Sequence, residues 1–175
     1  MKQIPMYSLV IFPYLEQQNL VKLFKKSLKT EIGWFGSFNS EAHITIINLE
    51  SELALGLYLN RIKDFCKTIT PHKVMFNSFN SFGNHTFYIS PDDESQLYLN
   101  KIIITLHKFI GFEVKNANAH ITIARGLDEE RMKKAKQQFS STIINFEFIC
   151  NCICVRRFNE QTKQYSDIIE KINFK

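Results

Sequence analysis

Two identical pentapeptides carry two of the five histidines of this chain: residues 42–46 and 119–123 both read AHITI. On a β-strand, alternate side chains share a face, so each motif presents an imidazole and a threonine hydroxyl about 7 Å apart. A neutral imidazole accepts a proton and a protonated one donates it, and both forms exist near neutral pH. Two such rings at one phosphate can therefore supply the base and the acid of phosphodiester chemistry.

The motif residues divide into two predicted roles. His43 and His120 are the candidate catalytic pair, and Thr45 and Thr122 are candidates for binding the non-bridging oxygens of a phosphate. The remaining histidines lack a threonine two positions on and are predicted at the surface, at a loop edge or in a hairpin: His72, His85 and His107.

Two other readings of the histidines compete with catalysis. An H-x-T pattern occurring twice is a weak signal by itself, and buried structural histidines would also produce it. A metal site is disfavoured because neither motif contains a carboxylate or a cysteine and no HExxH occurs, so no metal and no cofactor are expected. The identity over five residues, at matching places in two similar half-units, favours the catalytic pair.

The elements that must position the motifs alternate between strands and helices. Apolar spacing predicts strands over about 4–12 and 143–157 and helices over about 14–30, 51–70 and 91–111. A hairpin is predicted around Gly83-Asn84, a helix after Asp128, and a last strand over about 164–172. Each AHITI strand has a helix on either side, so the halves look like copies of one α+β unit. No linker-like segment divides residues 1–175, which predicts a single bilobal domain.

Composition limits the class of protein. The chain has 175 residues, 45% of them hydrophobic, with sixteen Phe, which suits a well-filled globular core. No apolar run reaches the roughly 18 residues of a membrane span, and the short run near the N-terminus lies between prolines and is predicted to be a strand. The four cysteines, three of them in CNCIC, are read as small buried hydrophobes in a reducing cytoplasm, where we expect the protein.

The net charge is +5 and the pI is near 9.0. A basic surface favours an anionic partner, and a phosphorylated or nucleic-acid ligand is the natural candidate. The lysines are scattered along the chain and form no basic tail, so charge alone is weak evidence.

With two H-x-T motifs in duplicated α+β halves, the sequence resembles the 2H phosphoesterase superfamily, and within it the 2'-5' RNA ligase-like or cyclic phosphodiesterase branch. The continuation HITIAR and the closing RRFNEQTKQY also agree with that branch. The resemblance implies an α+β fold in which two antiparallel sheets form a V-shaped cleft, with helices on the outside and one motif from each lobe facing the cleft.

The resemblance also implies the activity. Members act without metal on RNA ends or small nucleotides, opening 2',3'-cyclic phosphates or cleaving and forming 2'-5' linkages. By motif position, His43 would be the acid to the leaving oxygen and His120 the group that activates the nucleophile. Arg125 of HITIAR is a candidate phosphate ligand, although simple strand alternation places it opposite to His120 and Thr122.

Weaker candidates for the cleft wall are Phe12, Arg157 and Tyr165, for which core packing or a solvated charge is the competing reading. The sequence thus predicts a monomeric phosphoesterase with RNA ends or cyclic-phosphate nucleotides as its partners and no membrane association. The alternative is a basic RNA-binding module without turnover. For that module the aromatic residues before the first motif could stack on a base, although packing explains them equally well: Trp34, Phe35 and Phe38.

Overall fold

The structure is a computed structural model that describes residues 4–175. The elements, in chain order, are β1 (Tyr7–Ile11), α1 (Leu15–Ile32), β2 (Ile44–Leu49), α2 (Glu52–Cys66), β3 (His72–Phe82), β4 (Thr86–Pro91), α3 (Asp93–Ile110), β5 (Ile121–Arg125), α4 (Glu129–Gln138), β6 (Phe146–Cys150), β7 (Cys152–Asn159) and β8 (Gln164–Asn173).

The strands form two four-stranded antiparallel sheets, which confirms the predicted α+β class. One sheet has the order β2-β1-β7-β8 and the other β5-β4-β3-β6. The unit β1-α1-β2-α2 in the first sheet corresponds to β4-α3-β5-α4 in the second. Each motif therefore lies at the start of an edge strand, and the two motifs occupy equivalent positions, as predicted from the repeated pentapeptide.

Three helices begin at side-chain caps, whereas the helix predicted over about 51–70 ends earlier, at Cys66. Ser51, Asp92 and Asp128 each accept a hydrogen bond from the backbone N–H three residues on, as an N-cap does. Gly111 ends α3 with φ of 95°, a backbone conformation that favours glycine. These caps fix how the helices enter and leave the two sheets.

One predicted strand is two strands in the structure. The run 143–157 breaks at Asn151, so that β6 pairs with β3 in the second sheet and β7 pairs with β1 in the first. Apolar residues continue on both sides of Asn151, so hydrophobic periodicity gives no sign of the transfer. The β3–β4 turn also differs slightly, because it has three residues, 83–85, where two were predicted.

The lobes are joined at the ends of α1 and α4. The Arg131 guanidinium on α4 donates to the backbone carbonyls of Ile32, Trp34 and Gly126. The first two carbonyls belong to the end of α1 and the loop after it, and the third follows β5. The joint therefore connects the segment leading to the first motif with the strand that carries the second.

The cysteines follow the prediction in part. Cys66, Cys150 and Cys154 are buried free thiols, whereas Cys152 is half-buried. Within the described residues, no helix is both long and apolar enough to cross a membrane.

Candidate active site

Both motif histidines have the same local geometry. The His43 Nδ1 lies 2.6 Å from the carbonyl oxygen of Glu41, and the His120 Nδ1 lies 2.7 Å from that of Asn118. Because a carbonyl oxygen only accepts, each Nδ1 must carry the hydrogen. The Nε2 of each neutral ring is then a free acceptor, and in the protonated ring it is a donor. Both rings thus present the atom that exchanges a proton.

The isoleucines of the motifs hold these strands to the core. Ile44 and Ile121 are fully buried, whereas Thr45 is exposed and Thr122 is half-buried. This is the alternation expected from the sequence, with the hydroxyls on the face that the core does not use.

A β-bulge follows the threonine in each motif strand. Thr122 pairs with Tyr88 and Arg125 pairs with Thr86, so one residue between them has no partner on β4. Tyr88 and Thr86 are two apart on β4 and share a face, which brings Arg125 to the same face as Thr122. The expectation from simple alternation that Arg125 points the opposite way was therefore wrong, and the bulge is the reason.

The first motif has the equivalent bulge. Thr45 pairs with Val10 and Asn48 pairs with Ser8, which puts Asn48 on the face of Thr45. Asn48 thus occupies the place that Arg125 holds in the second motif. The absence of a matching arginine, noted from the sequence, makes the site asymmetric in charge.

Cations surround the first histidine. Burial, together with the positive charges of Arg156, Lys25 and Arg125, lowers the pKa of His43 to about 3, while its bond to the Glu41 carbonyl acts in the opposite direction. Arg125 belongs to the second lobe, so one of the charges that lower the pKa of His43 comes from the lobe that carries the other motif. The imidazole of His43 is therefore neutral at pH 7 in the free protein.

Aromatic rings surround the second histidine. The ring centroids of Phe82 and Tyr88 lie 5.0 and 4.9 Å from that of His120. Burial lowers the pKa of His120, and its bond to the Asn118 carbonyl opposes the change. The two imidazoles thus have different surroundings, one cationic and one apolar.

Two of the three predicted cleft-wall residues lie together on one face of the first sheet, and the third points away from it. The buried Arg156 lies over the rings of Phe12 and Tyr165, with its Cζ 5.3 and 5.6 Å from their centroids. Arg157 points to the other face of β7, is exposed, and forms an ion pair with Asp167. Arg157 therefore does not line the cleft wall, and the adjacent Arg156 lies there instead. Because the strand breaks at Asn151, the face of each β7 side chain could not be counted from the residues before the break.

The loop before the first motif is attached to both lobes. The ammonium group of the buried Lys25 donates to the carbonyls of Ser37 and Ser40 at 2.8 and 2.6 Å. The Ser37 hydroxyl donates to the carbonyl of Ile123 at 3.0 Å, and Ile123 is the bulged residue of β5. This loop leads to Glu41, whose carbonyl orients His43.

Several of these residues were missed in the sequence. Lys25 had a usable signal, since it lies on the same buried stripe of α1 as Val21 and Leu28, where a lysine is unusual. The remaining residues were not selected from the sequence, and only the folded chain places them at the site: Ser37, Phe82, Tyr88 and Arg156. Of the aromatic residues before the first motif, Phe35 is buried and Phe38 packs against it, whereas Trp34 is 62% exposed.

Two small cavities lie next to the loop 39–41. One, of about 180 Å³, lies between this loop and the β7–β8 hairpin, and Arg156 and Tyr165 are in its wall. The other, of about 420 Å³, lies against α1 and has Lys22, Lys25 and Lys26 in its wall, but neither motif histidine lines it. Residues 4–175 contain no group of three or more His, Cys, Asp or Glu side chains arranged to hold a metal ion.

Two antiparallel sheets, each with a histidine and a threonine at the start of an edge strand, match the arrangement that the resemblance to the 2H phosphoesterases implies. The sequence model of the 2'-5' RNA ligase superfamily matches residues 36–162, which include both motifs and most of the chain. The chain belongs to this superfamily.

Solved structures show the same fold at low sequence identity. TT0787 of Thermus thermophilus aligns with a TM-score of 0.67 at 14% identity, and 97% of each chain is covered. A structure described as a phosphoesterase aligns with a TM-score of 0.60 at 12% identity, covering 97% of this chain and 98% of the other. Apo LigT of E. coli gives 0.62 at 10%, with 97% of each chain covered. No curated protein sequence matches significantly.

Proposed function

We propose that this protein is a metal-independent phosphoesterase that opens 2',3'-cyclic phosphates, or cleaves and forms 2'-5' linkages, at RNA ends or in small nucleotides. The observation that carries this proposal is the equivalent placement of the two imidazoles. Each has its Nδ1 hydrogen held by a backbone carbonyl and its Nε2 free, and the bridge from Ser37 to Ile123 ties the two motif segments together.

The reaction needs one proton removed and one delivered. A neutral imidazole takes a proton from water while the water oxygen attacks phosphorus. The bond from phosphorus to one ribose oxygen then breaks, and the protonated imidazole gives its Nε2 hydrogen to that oxygen. With a nucleoside hydroxyl in place of water, the same transfers make a new phosphodiester, and the reverse sequence cleaves it.

Thr45, Thr122 and Arg125 are proposed to bind the non-bridging oxygens of the reacting phosphate. The hydroxyls donate hydrogen bonds, and the guanidinium offers a bidentate contact and a positive charge. The bulge in β5, which puts Arg125 on the face of Thr122, supports this arrangement.

Which histidine starts protonated depends on the bound phosphate. In the free protein, the cations that act on His43 oppose its protonation, whereas the groups within residues 4–175 that shift the pKa of His120 include no cation. The role implied by the resemblance, His43 as the acid, therefore requires the anionic substrate to offset those cations. We propose that His43 is the acid and that the bound substrate allows its imidazole to be protonated.

The solved complexes of E. coli LigT with 3'-AMP and with phosphate support a nucleotide-sized, phosphate-containing ligand for a protein of this fold. An adenosine 2',3'-cyclic phosphate and a short RNA ending in a cyclic phosphate are therefore suitable first substrates.

The proposal is tested by incubating the purified protein with these two substrates in the presence of EDTA and following ring opening. We expect turnover that EDTA does not affect. His43→Ala and His120→Ala should each lower kcat by about 10²–10⁴-fold, the range of a lost acid or base. His85→Ala, a change at the exposed tip of the β3–β4 hairpin, serves as the matched control and should retain full activity.

Full activity in either motif variant would refute the two-histidine mechanism, and loss of activity with EDTA would refute metal independence. Salt-sensitive RNA binding that survives both substitutions, without turnover of either substrate, would instead identify a binding module.

A further inference from the structure

Arg156 is a buried cation without a counter-ion. Its side chain is only 3% exposed, and its Nε has no hydrogen-bond partner. One terminal nitrogen donates to the Ser8 hydroxyl at 3.3 Å, and no carboxylate among residues 4–175 lies within ion-pair distance of the guanidinium. A guanidinium remains charged at neutral pH, and a buried charge is normally paired. The stacked rings of Phe12 and Tyr165 stabilise it only in part.

This guanidinium is held in a fixed place. The Tyr165 hydroxyl donates to the carbonyl of Pro5 at 2.6 Å, which fixes the ring under Arg156. Ser8 holds the other side from the neighbouring strand. A side chain that is already fixed in position loses little conformational freedom when it binds a ligand. Such preorganised side chains are typical of binding sites.

The small cavity of about 180 Å³ opens beside it. Its other walls are mostly hydroxyl and amide side chains from the loop before the first motif and from the β7–β8 hairpin. This volume is below the range of pockets that enclose a whole drug-sized ligand, but a single phosphate group fits it. Glu41 is the carboxylate in the wall. It forms no ion pair with Arg156, whose only side-chain hydrogen bond among residues 4–175 is the one to Ser8.

We infer that this cavity is a second anion subsite, in which Arg156 binds a phosphate of the substrate other than the reacting one. The inference rests on the proposed function, because it places the reacting phosphate at the two motifs. A nucleoside cyclic phosphate has only that phosphate, whereas the end of an RNA chain has another at its 5' oxygen. The preferred substrate is therefore a nucleotide or oligonucleotide with a 5' phosphate in addition to the cyclic one.

Binding is measured with two unreactive probes that differ by one phosphate, adenosine 3',5'-bisphosphate and adenosine 3'-phosphate, by isothermal titration calorimetry. The wild-type protein should bind the bisphosphate about 10-fold more tightly, as a charge-assisted contact provides. Equal affinity of the wild-type protein for the two probes overturns the subsite, whatever the variants do.

Substitutions then assign the preference to Arg156. In Arg156→Gln the ratio of the two affinities should fall to about one, and Arg156→Lys should retain part of it. Arg157→Gln is the matched control, since it removes the same charge at the next, exposed residue, and it should keep the wild-type ratio. A wild-type ratio in both Arg156 variants overturns the assignment. If Arg156→Gln does not fold, the affinity ratios of Arg156→Lys and of the wild-type protein still test the subsite.

Kinetics separate this inference from the proposed function. Adenosine 2',3'-cyclic phosphate and its 5'-phosphorylated form are compared by kcat/KM, and the wild-type protein should prefer the second about 10-fold. If neither is turned over but the bisphosphate still binds better through Arg156, the subsite stands and the catalytic proposal fails. If both are turned over equally well, the catalytic proposal stands and the subsite fails.

Discussion

At the scale of single residues, the two imidazoles of the proposed catalytic pair have different surroundings. His43 is held among cations from both lobes, whereas His120 is held among aromatic rings. In the proposed function, a phosphate bound at the motifs lies close to those cations and offsets their effect on the His43 ring. The charge state of His43 should therefore report whether the phosphate site is occupied.

We predict that adenosine 3'-phosphate raises the pKa of His43 above its free-state value of about 3. Because the phosphate then binds together with a proton, its affinity should increase as the pH falls toward the raised pKa. The measurement is an NMR titration of the His43 ring with and without the ligand. In Arg125→Gln, which lacks one of the cations, the free-state pKa should be higher and the rise on binding smaller.

The ring signal of His85, at the hairpin tip, is the internal control and should not respond to the ligand. A His43 titration that is the same with and without adenosine 3'-phosphate would show that the phosphate binds elsewhere.

At the scale of elements, the loop after α1 connects the segment before the first motif with the strand of the second motif. Lys25 fixes its carbonyls, and Ser37 attaches it to the bulge of β5. The bulges themselves follow each motif threonine and bring Asn48 and Arg125 to the face of the site. The geometry of the candidate pair therefore depends on connections that lie outside the pentapeptides.

Ser37→Ala should lower kcat about 10-fold with KM within about twofold, because the first motif shifts relative to the second while the binding groups remain. The variant also leaves the buried Ile123 carbonyl without its partner, which should cost about 1–2 kcal/mol of unfolding free energy. Both values are obtained from steady-state kinetics and urea unfolding.

The matched control is Ser140→Ala, which removes an exposed hydroxyl-to-carbonyl bond to Gln137 within one turn of chain. It should change neither kcat nor stability measurably. A destabilised Ser37→Ala that keeps its full kcat would show that the bridge is structural and does not position His43.

At the scale of the whole molecule, the two lobes are connected both by the chain itself and by side-chain hydrogen bonds. The chain crosses from the second sheet to the first at Asn151, and Arg131 joins the end of α1 to the segment after β5. Because of these connections, the prediction that residues 1–175 form one bilobal domain can be tested by unfolding.

One cooperative urea transition is therefore expected, with the same midpoint by circular dichroism and by the fluorescence of Trp34, the sole tryptophan, at the joint. Arg131→Ala should lower the unfolding free energy by about 1–2 kcal/mol, since three carbonyls lose a charged donor. Two separated transitions in the wild-type protein would mean that the lobes unfold independently.

Lys134→Ala is the control on the same helix. It removes only an exposed ion pair with Glu130, so its effect should be below about 0.5 kcal/mol. An equal loss in both variants would assign the effect of Arg131→Ala to the helix surface and not to the joint.

The sequence alone determined the repeated unit, the two motif strands and the helix that follows the cap at Asp128. These features are local, since alternation and capping act over a few neighbouring residues. Tertiary structure decided which face of β5 carries Arg125 and which of Arg156 and Arg157 packs against Phe12 and Tyr165. It also decided that the chain crosses between the sheets at Asn151. Each depends on strand pairing, and a single bulged or unpaired residue reverses every face that follows it. The repeated AHITI therefore predicted the fold and the candidate pair, whereas the charges around each histidine come from residues that only the pairing of distant strands brings together.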